Sequence, residues 1–474
     1  MGTDGRVDAA SCRVKLRDGT SRLRRRDVLV ASISAFLCIS LFAAPTNLSP
    51  ATAEANPVRL LSDLQYGYFW KLSKSDRKKV MKSPSSVSGY SGVTTETFCN
   101  GTPLTLSWTG TSGTCTVSVK RLSDGTVIWT GTTSKTSIDV VNLELGAGYT
   151  WTVTDSSKNS ASATFYTLLE PPRLIKSGTM RMMRDLGGWK GLDGCRIRQN
   201  QIFRGGPANS KGAPDDAART FFYDIVGLKT EIDFRGKSEA GTNPAFDNEG
   251  KHVKYYLLPT DVYKFYKPKE VGSGNGKNYA DTIKMLMNVG GTYRPAYFHC
   301  AVGRDRTGSM AGFILALLGV SEEDIWRDYA GSCYVGETTF YDTFGTYLDS
   351  IRNYKSTSSS LAESAKQYCL DIGITEEQIE TFRKEMLIGY GEPPKPTYHV
   401  EEPVYVTATR VTFASGEATG TQYTGFETKT GLEYAWGKDG KAETEWKKSD
   451  GTPLELKKPE GDGWELMVRS GAGR

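Results

Sequence analysis

The spacing of apolar residues changes several times along the chain, and each change marks an element. Between Asn56 and Ser88, Leu60, Leu61, Leu64, Phe69 and Trp70 follow a helical period. The basic run Arg77-Lys78-Lys79 comes next and reads as a solvated face. From 89 to 170 the period drops to two: Leu104, Leu106 and Trp108 alternate with polar residues, as do Val117 with Val119 and Val127 with Trp129. Asp124-Gly125 supplies a hairpin turn between the last two pairs, so this stretch predicts a β-sandwich. Two proline-rich stretches, Glu170-Pro171-Pro172 and Glu392-Pro393-Pro394-Lys395-Pro396, read as stiff linkers. Between them, over 173–391, short apolar runs alternate with helical ones. Strands are predicted at Ile197–Phe203, Leu228–Phe234 and Val253–Leu258. Helices are predicted at Phe221–Val226 (stopped by Gly227), Tyr279–Val289, Glu322–Tyr329, Leu361–Asp371 and Glu376–Met386. This order implies an α/β domain with a mainly parallel central sheet flanked by helices. Residues 397–474 return to short alternating runs, among them Val404-Tyr405-Val406, Val411-Thr412-Phe413, Leu432–Trp436 and Trp464–Val468, and predict a second, smaller β module.

The α/β stretch holds the chemistry. Ala296-Tyr297-Phe298-His299 reads as a buried strand that breaks into Cys300-Ala301-Val302-Gly303-Arg304-Asp305-Arg306-Thr307-Gly308. Ser309 to Leu318 then reads as a buried helix stopped by Gly319. A strand, a tight loop and a helix N-terminus together bind anions, because free amides and the positive end of the helix dipole converge there. In that setting Cys300 is the candidate nucleophile, its thiolate favoured by the loop amides and Arg306. Arg306 offers the planar fork that grips two phosphate oxygens. Thr307 is placed to donate to the Cys300 sulfur, and His299 to steady the loop. Ala301, Val302, Gly303, Arg304, Asp305 and Arg306 form the expected phosphate cradle. A plain buried cysteine on a core strand would leave two arginines and an aspartate in a glycine loop unexplained.

The pattern H-C-x5-R-[ST] resembles the loop of cysteine-dependent protein tyrosine phosphatases. Within them it is most similar to the bacterial tyrosine/serine and dual-specificity type, whose loop reads H-C-x-x-G-K-D-R-T-G. Arg304 replaces the lysine. Arg184-Asp185-Leu186-Gly187-Gly188, Ile197–Arg204 and Ile232-Asp233-Phe234-Arg235 with Glu239 resemble further stretches of that family. The resemblance covers about the middle half of the chain. It implies two in-line displacements through a phosphocysteine, with no cofactor and no metal. The departing alcohol needs a general acid, and two aspartates compete for that role: Asp305 inside the loop, and Asp261 at the end of an upstream strand. Asp185 reads as structural.

Composition narrows the partners. The chain has 474 residues, room for two to four domains, and a net charge of +5 that suits an acidic ligand without arguing for nucleic acid. Three histidines and no C-x-x-C or H-x3-H spacing argue against a zinc site. Gly236-Lys237-Ser238 resembles the end of a nucleotide loop, but Glu231 stands where its first glycine belongs. Residues 1–55 read as an export signal: Arg24-Arg25-Arg26, an apolar run to Ala44, then small-residue cleavage sites at Ala51-Thr52-Ala53 or Ala53-Glu54-Ala55. Export would permit a Cys99–Cys115 disulfide. It would also place the enzyme in the periplasm, at the cell surface or outside the cell.

The substrate implied by the resemblance is a phosphoprotein, at phosphotyrosine or phosphoserine. Arg304, with Lys264, Lys267, Lys269 and Lys277 in a glycine-rich segment after Asp261, raises a second candidate: a phosphoinositide or inositol phosphate held under a mobile lid. Leu145-x-Ala147-x-Tyr149-x-Trp151-x-Val153 resembles the tyrosine-corner strand of fibronectin type III domains. The β modules therefore suggest a spacer, or adhesion through a surface or glycan contact. A sulfur transferase of rhodanese type also carries a loop cysteine before a helix, but the R-[ST]-G ending and R-D-L-G-G argue against it.

Overall fold

The computed structural model describes residues 58–391 apart from 110, 112, 179, 207–213, 241–243, 245, 247–252, 335–340 and 356–359, together with 12–15, 432–438, 441–448 and 464–470. Four parallel strands form the centre of the α/β domain, in the spatial order Lys254–Leu257, Thr230–Asp233, Ala296–His299 and Ile202–Gly205. Two short antiparallel strands, Arg184–Asp185 and Arg173–Leu174, extend the sheet beyond Ile202–Gly205. Every residue of Ile202–Gly205, Thr230–Asp233 and Ala296–His299 is buried, as a sheet covered on both faces requires. Gly205, His299 and Asp233 are register partners, so these strands end on one line and Cys300 follows at that edge.

The helix Asp305–Leu317 is buried continuously from Thr307 to Leu317 and packs against the sheet and the helix Leu361–Asp371. It ends where Gly319 adopts a φ of +76°. The following helix, Glu322–Cys333, is capped by Ser321, which accepts from the Asp324 amide. Glu376–Met386 starts with a capping box between Thr375 and Gln378. Tyr341–Arg352 is a further helix not anticipated from the sequence.

Several expected boundaries move. The strand predicted at Ile197–Phe203 is two strands, because the chain turns at Asn200 with a φ of 63°. Arg196–Ile197 pairs with Leu387–Ile388, and Ile202–Gly205 joins the central sheet. The single helix expected over 56–88 is broken into Asp63–Tyr66, a wide turn over Gly67–Lys71, and Lys74–Lys82. The next helix, Thr95–Cys99, lies inside the stretch expected to be sandwich. The physical reason is aromatic packing: Phe98 stacks on Tyr334 at 3.9 Å and meets Tyr68 edge-on at 4.9 Å. Residues Leu61 to Cys99 thus complete the α/β core, and regular β structure starts at Leu104.

From there two sheets face one another. One contains Leu104–Trp108 and Ser137–Val140, with Cys12–Lys15 on its edge; the other runs Val127–Thr133, Cys115–Arg121, Gly148–Thr154, Ser160–Tyr166. The alternation works as expected, since Leu104, Leu106, Trp108, Val117, Val119, Tyr149, Trp151 and Val153 all point into one core. The Tyr149 hydroxyl accepts from the Glu144 amide at 2.8 Å. Cys12–Lys15 belongs to the segment expected to be an export signal; the rest of 1–55 lies outside the described residues.

Cys99 and Cys115 form no disulfide, because one sits in the α/β core and the other in the sandwich core. Cys300, Cys333 and Cys369 are likewise unbridged. In the C-terminal module, Leu432–Lys438 pairs antiparallel with Glu465–Ser470 and with two short strands. The runs at 404–406 and 411–413 lie outside the described residues. Among the described residues no helix is long and apolar enough to cross a membrane.

Tyr149→Phe removes the acceptor of the half-buried Glu144 amide. It is expected to lower stability by about 1–2 kcal/mol, read as a lower denaturant midpoint at unchanged slope.

Candidate active site

The loop after Ala296–His299 is shaped by what lies beneath it. Gly303, at a φ of +72°, lies so close to the Gly205–Gly206 peptide that an added Cβ would stand 2.4 Å from the Gly205 carbonyl carbon. Only glycine fits there. Arg204 supports the same turn from below by donating to the Gly303 carbonyl at 2.9 Å. Arg204 also binds Asp328 and, at 3.0 Å, the Ser332 hydroxyl. Arg184 grips the other oxygen of Asp328 at 2.8 Å and Ser332 at 2.7 Å. All three charged side chains are fully buried, so one carboxylate serves two guanidinium groups. Burial, then the neighbouring Arg184, pushes the Arg204 pKa down to about 10. For Asp328, burial works against the carboxylate, but the two arginines overcome it and hold its pKa below the usual range.

Above this base, Cys300 is buried at 1 % exposure, while Ala301, Val302, Asp305 and Arg306 are half-buried. Among the described residues the amides of Ala301, Val302, Gly303, Asp305 and Arg306 find no acceptor. They sit at the N-terminus of the helix Asp305–Leu317, whose cap residue Arg304 gives no side-chain capping bond. Unused amides and the helix dipole thus share one place.

Arg306 is aimed by Glu239, a residue to which the sequence alone assigns no role. Its fork makes two bonds to Glu239, at 2.8 and 2.9 Å, and a third to the Phe234 carbonyl at 3.3 Å. Burial opposes the charge on Arg306, but Glu239 and Cys300 outweigh it and raise the guanidinium pKa. His299 is fully buried. Its Nε2 lies 2.9 Å from Glu231 on the neighbouring strand, and its Nδ1 lies 3.9 Å from Asp233. Asp233 is in turn bracketed by Arg235 and accepts from the Tyr255 hydroxyl at 2.9 Å. The side chain of His299 thus ties its own strand to the neighbouring one, and its contacts are with that strand and not with the loop.

Other expectations need correction. Arg304 is not an open second cation: its guanidinium holds Asp305 in a two-point pair at 2.7 and 3.0 Å and is buried. Thr307 is fully buried, and its hydroxyl makes no hydrogen bond among the described residues. The expected bond to the Cys300 sulfur is therefore not formed. The segment after Asp261 is not a free lid. Phe265 packs on Tyr368 at 4.7 Å and on Phe313 at 6.3 Å, and the Tyr263 hydroxyl bonds Asp305 and Tyr329. Lys264 is occupied by Glu270 at 3.9 Å and by the Tyr266 ring at 4.8 Å.

The two candidate acids differ in setting. Asp305 is enclosed by Arg304 and Tyr263, whereas Asp261 is exposed and held by Tyr266 at 2.9 Å and Asn275 at 2.8 Å. Asp185 lies outside this site. It bonds Arg173, Gly187 and Asn200 where the sandwich meets the α/β domain, and burial raises its pKa in spite of Arg173.

Residues 178–388 match the model of the tyrosine phosphatase family. A Cupriavidus necator protein provisionally named a tyrosine-protein phosphatase is 30 % identical over 171 residues, 32 % of this chain and 61 % of that protein. A tyrosine-protein phosphatase of Nostoc commune is 28 % identical over 122 residues, covering 23 % of this chain and 42 % of its own length. The chain thus spans less than two thirds of either relative. Among solved structures, the core catalytic domain of the PP-IP phosphatase SIW14 from S. cerevisiae aligns over 32 % of this chain and 94 % of its own. That alignment has a TM-score of 0.20 and 14 % identity, too slight to bear on substrate.

Glu239→Ala is expected to leave the fold intact and lower kcat/KM about 100-fold, because Arg306 loses its aim. Steady-state kinetics on an aryl phosphate reads this directly. Asp328→Asn is expected to cost about 3–5 kcal/mol at neutral pH by unpairing two buried arginines. Because the folded Asp328 pKa is lowered, its contribution is present above the unfolded carboxylate value of about 3.9. It fades as pH falls through the folded value, so wild type and variant should converge in acid.

Proposed function

We propose that this chain is a cysteine-dependent phosphatase that hydrolyses phosphate monoesters through a phosphocysteine. The observation that carries the reading is the coincidence of a buried cysteine, a ring of unused loop amides and an arginine fork aimed by Glu239 at one helix N-terminus. Cys300 Sγ attacks phosphorus in line as the P–O bond to the alcohol breaks, and the alcohol oxygen takes a proton from the general acid. Water then gives a proton back to that carboxylate as its oxygen attacks phosphorus, and the S–P bond breaks, releasing phosphate and the thiolate. The loop amides and Arg306 hold the equatorial oxygens through both steps.

A phosphorylated protein side chain is the favoured substrate. Arg304 is tied to Asp305 and Lys264 to Glu270, which removes two of the cations that would have marked a polyphosphorylated inositol. Export after removal of residues 1–55 belongs to the same proposal, and the N-terminal sequence of the mature protein recovered from the producing cells tests it.

Activity should appear with phosphotyrosine peptide under reducing conditions and vanish in Cys300→Ser. Turnover of inositol hexakisphosphate far above that of the peptide would reverse the substrate assignment. The acid is found by pH profiles. A general acid must be protonated, so kcat falls as pH rises through its pKa, and the variant lacking it should lose that alkaline limb. Asp305→Asn and Asp261→Asn measured side by side identify which carboxyl is responsible.

A further inference from the structure

A second site lies away from the loop, where the sandwich meets the α/β domain. A cleft of about 650 Å³ opens between the segment Glu144–Gly148 and residues Asp193–Ile197. That volume lies in the range of small-molecule sites, which favour domain interfaces. Two features single it out. Large apolar side chains are exposed at only six positions among the described residues, and four of them gather here. Leu169 and Ile388 line the cleft, and Leu122 and Tyr166 flank its Gly148 wall. A gathering of exposed apolar side chains around one cleft is the kind of surface that binds a partly apolar ligand.

The second feature is charge. Arg196 lines the cleft half-buried, its guanidinium donating to the Gly188 carbonyl at 3.3 Å, and no carboxylate comes within ion-pairing distance among the described residues. Burial lowers its pKa, and Asp324 offsets this only from a distance. The other charged groups facing the cleft are Arg121, Glu144 and Asp193. Arg121 and Glu144 pair with each other at 2.6 Å, and Asn200 donates to Glu144 as well. Asp193 stands exposed at the lip, where water and salt screen it. The electrostatic demand left inside is for one anion at Arg196, beside an apolar rim.

We propose that this cleft binds an amphipathic carboxylate, with the carboxylate on Arg196 and the apolar chain along Leu169, Ile388, Leu122 and Tyr166. A planar carboxylate meets the guanidinium fork in two parallel bonds, which matches the arginine better than a neutral head group does.

Octanoate is a suitable probe, titrated calorimetrically into the full chain, with acetate and octanamide as partners in the comparison. One saturable octanoate site is expected, at least about tenfold tighter than acetate or octanamide. Arg196→Met keeps the apolar stem and removes the charge, so octanoate should weaken about tenfold while octanamide is unchanged. Leu169→Asp should weaken octanoate as well. Arg196→Lys, with its charge retained, should bind measurably. Absence of saturable octanoate binding to the wild type overturns the proposal, as does equal binding by Arg196→Met or Leu169→Asp. Phosphatase activity is independent of every outcome.

Discussion

Three charged side chains buried beneath a loop govern this site. Arg184, Arg204 and Asp328 come from two strands and a helix, and none of them reaches water. Removing a single member would strand the others in a medium that cannot solvate them. The arrangement can therefore exist only when the sheet edge, the helix Glu322–Cys333 and the loop are all in place. Its excess positive charge lies under Gly303, through the bond from Arg204 to that carbonyl. An anion above the loop meets a prearranged field, and the protein has already borne the cost of ordering it during folding.

The same logic explains the polar residues that interrupt otherwise apolar strands. Glu231, Asp233, Arg204 and His299 lie in strands buried on both faces, where aliphatic residues would be the default. Each has a partner close by: Glu231 with His299, Asp233 with Arg235, Arg204 with Asp328. The active-site edge of the sheet is thus built from matched charges, and the remainder of the core from aromatic and aliphatic packing.

Much of this was legible in the sequence, because the signals were local. Cys300 to Gly308 encodes its strand, turn and helix in adjacent residues, and the helices Leu361–Asp371 and Glu376–Met386 fall where their periodicity places them. What escaped depends on contacts between distant segments. No spacing shows that Glu239 meets Arg306 67 positions later, or that Arg184 and Arg204 share Asp328. Arg304 read as a free cation because the chain does not show which way its guanidinium turns toward Asp305. The segment after Asp261 read as mobile because its glycines and lysines were visible, whereas the pocket that receives Phe265 is assembled from Phe313, Tyr354 and Tyr368. The helices before the sandwich were misassigned for the same reason, since Phe98 finds its stacking partner in Tyr334.

That misassignment has a mechanical side. Residues Leu61 to Cys99 complete the α/β core, so the sandwich is spliced into its host, leaving after Asn100 and returning at Arg173. Two covalent necks hold it, and Val58 straps across by donating to the Tyr166 carbonyl and accepting from the Leu168 amide. Gln199 adds a clasp, exchanging bonds with both the amide and the carbonyl of Leu145. A module hung on one string swivels; one pinned at this many points cannot. Whatever grips the sandwich would therefore also fix the direction in which the mouth over Cys300 faces.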